Sequence, residues 1–212
     1  MKNLILEQKT FYRFYQKLIR KDKNEYDFLK YIFKKYKNKN IKLLDLCCGD
    51  SYILDYIKPY LSNYIGIDNN SNYLRNSKNK HKRFNFINSN IEDIYKLKKI
   101  KKSNTNFIFL NGAIHHLDNK TVKKLMIFLK KNFPKAVFLS IDPINNNNKF
   151  INKIMIQLDR GKYIRTKKMY SKIMGQCKTL ITKDFFIMEF LLIFHYSNID
   201  LKKNFNEWKN EI

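Results

Sequence analysis

The chain reads as a doubly wound α/β fold with a mostly parallel sheet, and three observations predict it. Five strand-like apolar runs, Ile41–Leu46, Tyr64–Asp68, Phe84–Asn88, Asn106–Asn111 and Ala136–Asp142, alternate with helical segments at Tyr52–Leu61, Ser71–Lys80, Glu92–Ile100 and Asn119–Asn132. Apolar strands separated by helices call for a parallel sheet covered on both faces, with right-handed crossovers. The first two runs each carry an acid at the C-terminal end, Asp45 and Asp68. Three of only five glycines, Gly49, Gly66 and Gly112, fall at or near strand ends. Ligands of such folds bind beyond the C-terminal strand ends at the switch point, so these residues mark the expected site.

The flanking segments follow. Residues 7–37 predict two helical pieces, with Phe11, Phe14, Tyr15 and Leu18 on one stripe and Tyr26, Leu29, Ile32 and Phe33 on the next. They pack on the domain or form a lid. After Pro143 an Asn run leads to a helix at Lys149–Leu158, a turn at Gly161 and a helix from about Thr166, which can serve as its N-cap. Lys178–Ile187 and Leu191–Ile199 are rich in β-branched and aromatic residues and predict an antiparallel pair at one sheet edge. The division expected is a single domain over 1–212: a helical cap (1–40), a cofactor-binding core (41–142), a helical substrate-side insertion (143–177) and a strand pair with a tail (178–212).

Composition narrows the class. Apolar residues make up 44% of 212, enough for a core, so disorder of the whole chain is excluded. No apolar run reaches the roughly 18–20 residues of a membrane span, and the first ten residues lack the apolar core of a secretory signal; the expected location is cytoplasmic. The net charge of +25 suggests nucleic acid or an anionic surface. Six of the 43 basic residues are Arg and the rest Lys, and Lys, Asn and Ile abound together, which reads mostly as coding bias. Cys47, Cys48 and Cys177 lack paired metal-ligand spacing and predict small buried thiols, with no metal expected.

The stretch IKLLDLCCGDSYILDYIKPYLSNYIGID, residues 41–68, opens a βαβ unit. Asp68 lies 19 residues after Gly49, where a carboxylate can accept both hydroxyls of a ribose, or else cap the next helix. There is no GxGxxG, so the ligand is expected to carry ribose without needing a pyrophosphate cradle. His115 and His116 follow the fourth run and Asp142 ends the fifth. A histidine there can take a proton near neutral pH, or one of the pair packs. Asp142 is a base or a turn residue. Arg160 and Arg165 predict either an anion clamp or an ion pair with Asp159. Tyr163 and Tyr170 line the pocket or pack, and His195 and Tyr196 are expected to pack at the sheet edge.

The run LLDLCCGDSYILDYI resembles motif I (LDLGCGxG) of class I S-adenosylmethionine-dependent methyltransferases. YIGIDNNSNYL resembles their motif II, and NFIFLNGAIHHL their fourth-strand motif. The likeness implies a Rossmann-like, seven-stranded sheet with the last strand antiparallel, and S-adenosyl-L-methionine as cofactor. It implies that Asp45, Leu46, Cys47 and Gly49 face the methionine moiety and cofactor centre. Asp68 would hold the ribose, with Asn69 beside the adenine. Asn90 stands where the family usually has an acid meeting the adenine amino group, and Ile91 would pack on the ring. Asn111 and Gly112 would line the methionine end. Cys47 and Ser51 stand where the family usually has glycine. DP at Asp142–Pro143, LDRGKYIRTKKMY and FHYSNI resemble a small-molecule subgroup, some of whose members serve surface polysaccharide and lipid pathways.

The expected function is methyl transfer to a small molecule, an anionic one included, such as a sugar or lipid precursor. His115 and Asp142 are the catalytic candidates, and His116, Arg160, Arg165 and Tyr170 the substrate-binding ones. The alternatives are an RNA methyltransferase using the basic surface and a noncatalytic relative that only binds cofactor.

Overall fold

A computed structural model describes residues 24–101, 103–145, 153, 156–157, 159, 161–175, 178–184, 189–195, 203, 207–208 and 210. The expected helix at Lys149–Leu158 lies almost wholly outside them, as do residues 7–23, Arg160, Cys177 and Tyr196. No helix among the described residues is long and apolar enough to cross a membrane.

Five parallel strands form the sheet: β1 (Ile41–Leu46), β2 (Leu61–Asp68), β3 (Asn85–Asn88), β4 (Phe107–Asn111) and β5 (Val137–Pro143). Their spatial order is β3-β2-β1-β4-β5. β1 is central, pairing Asp45 with Gly66 on one side and with Phe109 on the other. Two more strands follow in sequence, β6 (Lys178–Asp184) and β7 (Glu189–His195). The Rossmann-like α/β class is as expected.

The two-residue strand period builds two cores. Leu43, Phe107, Phe109, Val137 and Leu139 point to one face and Leu44, Leu46, Ile108, Leu110 and Phe138 to the other. The first face is covered by α1 (Asn24–Lys35) through Phe28, Leu29, Ile32 and Phe33, by α2 (Leu54–Ile57) and by α3 (Ser71–Lys80) through Leu74. Trp208 joins it, its ring 5.3 Å from that of Phe28. The second face carries the short α4 (Lys98–Lys101), then α5 (Asn119–Asn132) and α6 (Lys167–Met174).

Caps set the best-defined helix starts. Asn70 accepts from the N–H groups of Asn72 and Tyr73, Asp118 from Thr121, and Thr166 from Met169. Two expected helices come out differently. Tyr52–Leu61 shrinks to α2 and a 3-10 turn, Lys58–Tyr60, because Pro59 cannot supply the N–H that a continued helix needs; Leu61 already belongs to β2. Glu92–Ile100 is instead a 3-10 helix at Ile91–Lys96 followed by α4. Its apolar residues Ile91, Ile94, Leu97 and Ile100 recur every third position, the period of a 3-10 rather than an α-helix.

The topology brings the loops after β1, β2, β4 and β5 to one edge of the sheet.

Candidate active site

At that edge the backbone after β1 turns sharply. Cys47, Gly49 and Ser51 have φ of 57°, 56° and 55°, all left-handed. Two of these are side-chain-bearing residues in a conformation that favours glycine, at a cost of about 1 kcal/mol each. Hydrogen bonds enforce the path: Cys48 N–H donates to Ile67 O at 2.9 Å and Ser51 N–H to Cys48 O at 2.9 Å. The chain therefore traces a glycine-type turn without glycine at two of its positions. Where a Cβ would sit on Gly49 no atom lies within 4 Å, so the turn opens onto free space.

Asp68 ties this turn to the next element. Its Oδ2 accepts from Gly49 N–H at 2.9 Å and its Oδ1 from Asn70 N–H at 2.8 Å. The helix cap is Asn70, not Asp68. Each carboxylate oxygen keeps a further lone pair for a hydroxyl donor. Beside it, Asn69 donates to Asn90 Oδ1 at 3.1 Å, so the two residues expected at the adenine are in contact. Ile91 is half-buried next to them. Gly66 serves packing instead: a Cβ there would lie 2.9 Å from both Cys48 Sγ and a Tyr64 ring carbon.

Asp45 is buried under the turn and accepts from the Tyr64 hydroxyl at 2.7 Å; that hydroxyl also lies 3.2 Å from Ser51 Oγ. Burial, opposed by the Tyr64 hydrogen bond and reinforced by the Asp68 charge, pushes Asp45 up to about 7. Leu46 is buried in the second core, so only its backbone is available to a ligand. Burial first, then the charges of Asp68, Asp45 and Asp142, pushes the Cys47 thiol up to about 12, so it is an uncharged thiol and no nucleophile.

The second half of the site lies after β4 and β5. Asn111 is half-buried, and Gly112 has φ 59° with its N–H donating to Ile141 O at 2.7 Å. A 3-10 turn, Ile114–His116, places His115 over fully buried Asp142. His115 Nδ1 lies 2.9 Å from Asp142 Oδ1, and the His115 backbone N–H donates to the same oxygen at 3.2 Å. Ser140 Oγ donates to Asp142 Oδ2 at 2.6 Å. On its other side His115 Nε2 lies 3.3 Å from Asp159 Oδ1. Burial works against an imidazolium, yet the hydrogen bonds to Asp142 and Asp159 carry its pKa up to about 9. Burial likewise opposes the Asp159 carboxylate, but His115 and the Gly161 N–H hold it below its usual range.

The insertion is fastened to this histidine. Tyr163 N–H donates to His115 O at 2.9 Å. A Cβ on Gly161 would lie 2.0 Å from the His115 ring, so only glycine lets the chain pass there. His116 is exposed, with its ring centroid 4.2 Å from that of His115.

Two substrate-side expectations need correction. Arg165 is buried, and its guanidinium is spent on Asn119 Oδ1 and on the carbonyls of Ile114, Leu117 and Tyr163, at 2.6–3.2 Å. It braces the His115 turn and cannot clamp an anion. Tyr170 is fully buried, its hydroxyl donating to Pro143 O at 3.1 Å, and it packs rather than lining the pocket. Sequence reasoning also missed Asp159 as the partner of His115, and Tyr64 with Ser51 as the support of Asp45. The only signal for Asp159 was an acid inside the inserted segment.

S-adenosylmethionine fits these residues: open space at the Gly49 turn, a half-buried carboxylate with spare acceptor capacity, and acids suited to a sulfonium cation.

Two outcomes are expected. Asp45→Asn should stabilise the protein at pH 8: the rise from 3.8 to about 7 corresponds to about 4 kcal/mol, reduced by about 1–3 kcal/mol for the buried amide N–H group that Asn adds. An acid whose folded pKa is raised loses stability as pH climbs from about 4 through about 7, so the gain should vanish near pH 4; thermal unfolding at both pH values checks it. Cys47→Gly, by relieving the left-handed strain, should raise stability by up to about 1 kcal/mol in denaturant titration, and a clear loss would refute that strain.

A sequence-family profile described as "Methyltransferase domain" matches residues 37–207. No curated protein matches the chain in sequence. Among solved structures, the chain is similar to an S-adenosylmethionine-dependent methyltransferase from Clostridium acetobutylicum: TM-score 0.63, 14% identity, covering 89% of this chain and 98% of that one. It is similar to a SAM-dependent methyltransferase from Archaeoglobus fulgidus, with TM-score 0.63, 14% identity and coverage of 87% and 99%. It also resembles the PH0226 protein from Pyrococcus horikoshii, with TM-score 0.62, 14% identity and coverage of 89% and 99%. At these identities the likeness is one of fold, while the profile spans about four fifths of the sequence. The chain belongs to the methyltransferase-domain family and is an S-adenosylmethionine-dependent methyltransferase.

Proposed function

We propose that this methyltransferase acts on a hydroxyl group of a small molecule, of the kind found in sugar or lipid precursors. The observation that carries the reading is the buried Asp142–His115 pair at the C-terminal strand edge, 2.9 Å apart. When bound, the cofactor supplies an electrophilic methyl group on its sulfonium. Transfer to a hydroxyl needs positioning and removal of one proton. His115 removes it through Nε2, while Asp142 fixes the ring and stabilises the charge. The Asp159 carboxylate now paired with Nε2 sits where the acceptor oxygen would; its departure removes one of the two charges that keep the ring protonated, so Nε2 gives up its proton to solvent and can then accept one. His116, exposed beside it, contacts the acceptor.

On the cofactor side, Asp68 holds the ribose hydroxyls, Asn69, Asn90 and Ile91 flank the adenine, and the turn at Cys47–Gly49 with Asp45, Asn111 and Gly112 encloses the methionine end. We read residues 24–142 and the insertion as parts of one domain. We also read β7 as completing a seven-stranded sheet, antiparallel between β5 and β6, a reading supported by the pairings Phe138↔His195 and Thr179↔Ile193. Free thiols at Cys47 and Cys48 suit a reducing, cytoplasmic setting.

Calorimetry and label transfer test the two halves separately. Asp68→Ala should weaken S-adenosylmethionine binding at least about tenfold, or about 1.4 kcal/mol; unchanged affinity removes Asp68 from the site. His115→Gln should keep cofactor affinity within about twofold yet lower methyl transfer to a panel of hydroxylated sugars and lipid precursors by about a hundredfold or more. Full transfer activity in that variant would remove the proton-acceptor role.

A further inference from the structure

His115, His116 and Asp159, already drawn into the methyl-transfer reading, also form a cluster whose ligand atoms all lie within 4.8 Å of one another. The expectation of no metal rests on the cysteines and does not reach this group, because His116 and Asp159 stand 43 positions apart.

We propose that His115 Nε2, His116 and Asp159 bind one divalent transition-metal ion. Three observations carry it. First, the separation of Nε2 and Asp159 Oδ1 is 3.3 Å. With metal–nitrogen and metal–oxygen bonds of about 2.1 Å, that separation subtends about 105° at a shared ion, close to tetrahedral, so these two ligands need not move. His116 is exposed, and its ligand nitrogen already lies within 4.8 Å of the other two ligand atoms. Second, the outer shell is already built. Buried Asp142 accepts from the Nδ1 side of His115 at 2.9 Å, which fixes the tautomer that turns the Nε2 lone pair toward Asp159; Ser140 in turn holds Asp142. Third, two carboxylates, Asp142 and Asp159, face the same imidazole, and a divalent ion on neutral imidazoles balances their charge.

Two imidazoles and one carboxylate select zinc, cobalt, manganese or ferrous iron over the oxygen-seeking magnesium and calcium. The exposed side leaves coordination positions open, as in a catalytic rather than a structural site. Ion and base are alternatives at one nitrogen: an ion on Nε2 would polarise the acceptor hydroxyl where the bare imidazole would take its proton. That use rests on the function proposed above, but ion binding does not.

The test uses the full chain without an affinity tag, stripped with chelator. Titration with Co2+ should give the visible bands of a four- or five-coordinate ion at one equivalent, and Zn2+ should displace it while Mg2+ should not. His116→Ala and Asp159→Asn should each weaken Co2+ binding at least about tenfold. Because His116 is a surface side chain, its variant keeps the fold, which unfolding curves verify. No uptake by the wild-type chain, or equal affinity in both variants, overturns the proposal. Calorimetry with S-adenosylhomocysteine, the demethylated form of the cofactor, on the same samples separates the two ideas: cofactor binding with no Co2+ uptake sinks the ion site alone.

Discussion

Everything chemical in this chain depends on the parallel pairing of β1 with β2 on one side and β4 on the other. Parallel neighbours need crossovers, and each crossover returns the chain to the same starting edge. The opposite edge therefore collects the ends of all five strands. Asp68, Asn111 and Asp142 arrive there because they terminate or nearly terminate β2, β4 and β5. Reversing one strand would remove a member of the site while leaving much of the core intact.

The two halves of the edge are held by different means. After β1 the backbone is bent into left-handed turns, and the strain at Cys47 and Ser51 is offset by hydrogen bonds from Cys48 and Ser51 and by the Asp68 carboxylate. At the ends of β4 and β5 the left-handed residue is a glycine, Gly112, and side chains do the fastening: Arg165 grips three carbonyls, and His115 bridges Asp142 and Asp159. A strained, hydrogen-bonded turn makes a rigid surface. A histidine shared between two carboxylates makes a centre that responds to what occupies the Asp159 position.

The strands were legible because burial on both faces turns them into continuous apolar runs, and Ser71–Lys80 and Asn119–Asn132 because Asn70 and Asp118 mark their starts. The contact of Asp68 with the Gly49 turn was legible from their 19-residue spacing, and the glycine-like character of Cys47 and Ser51 from the family likeness. What failed was long-range or backbone-directed. Nothing periodic links Asp159 to His115, so the acid looked like a partner for an arginine. Arg165 spends itself on carbonyl oxygens, which carry no side-chain signal. The segment at Glu92–Ile100 was given a 3.6-residue period when its apolar spacing of three was already visible.

The charge of the chain and the charge of the site have opposite signs, and the distance over which each acts decides which matters. Lysines and arginines, 43 against 18 acids, give a net +25. Their field at the surface is screened within about 8–10 Å at physiological ionic strength. Asp45, Asp68 and Asp142 lie at or near strand ends and Asp159 beside His115, with Asp45 and Asp142 withdrawn from water, where screening is weak. A ligand at this edge therefore sits in a local field set by carboxylates, which suits a cationic group such as the sulfonium or amino group of S-adenosylmethionine. Among the described residues Arg165 is committed to internal carbonyls, so the overall charge bears on what approaches the protein while the acids set the local field at this edge.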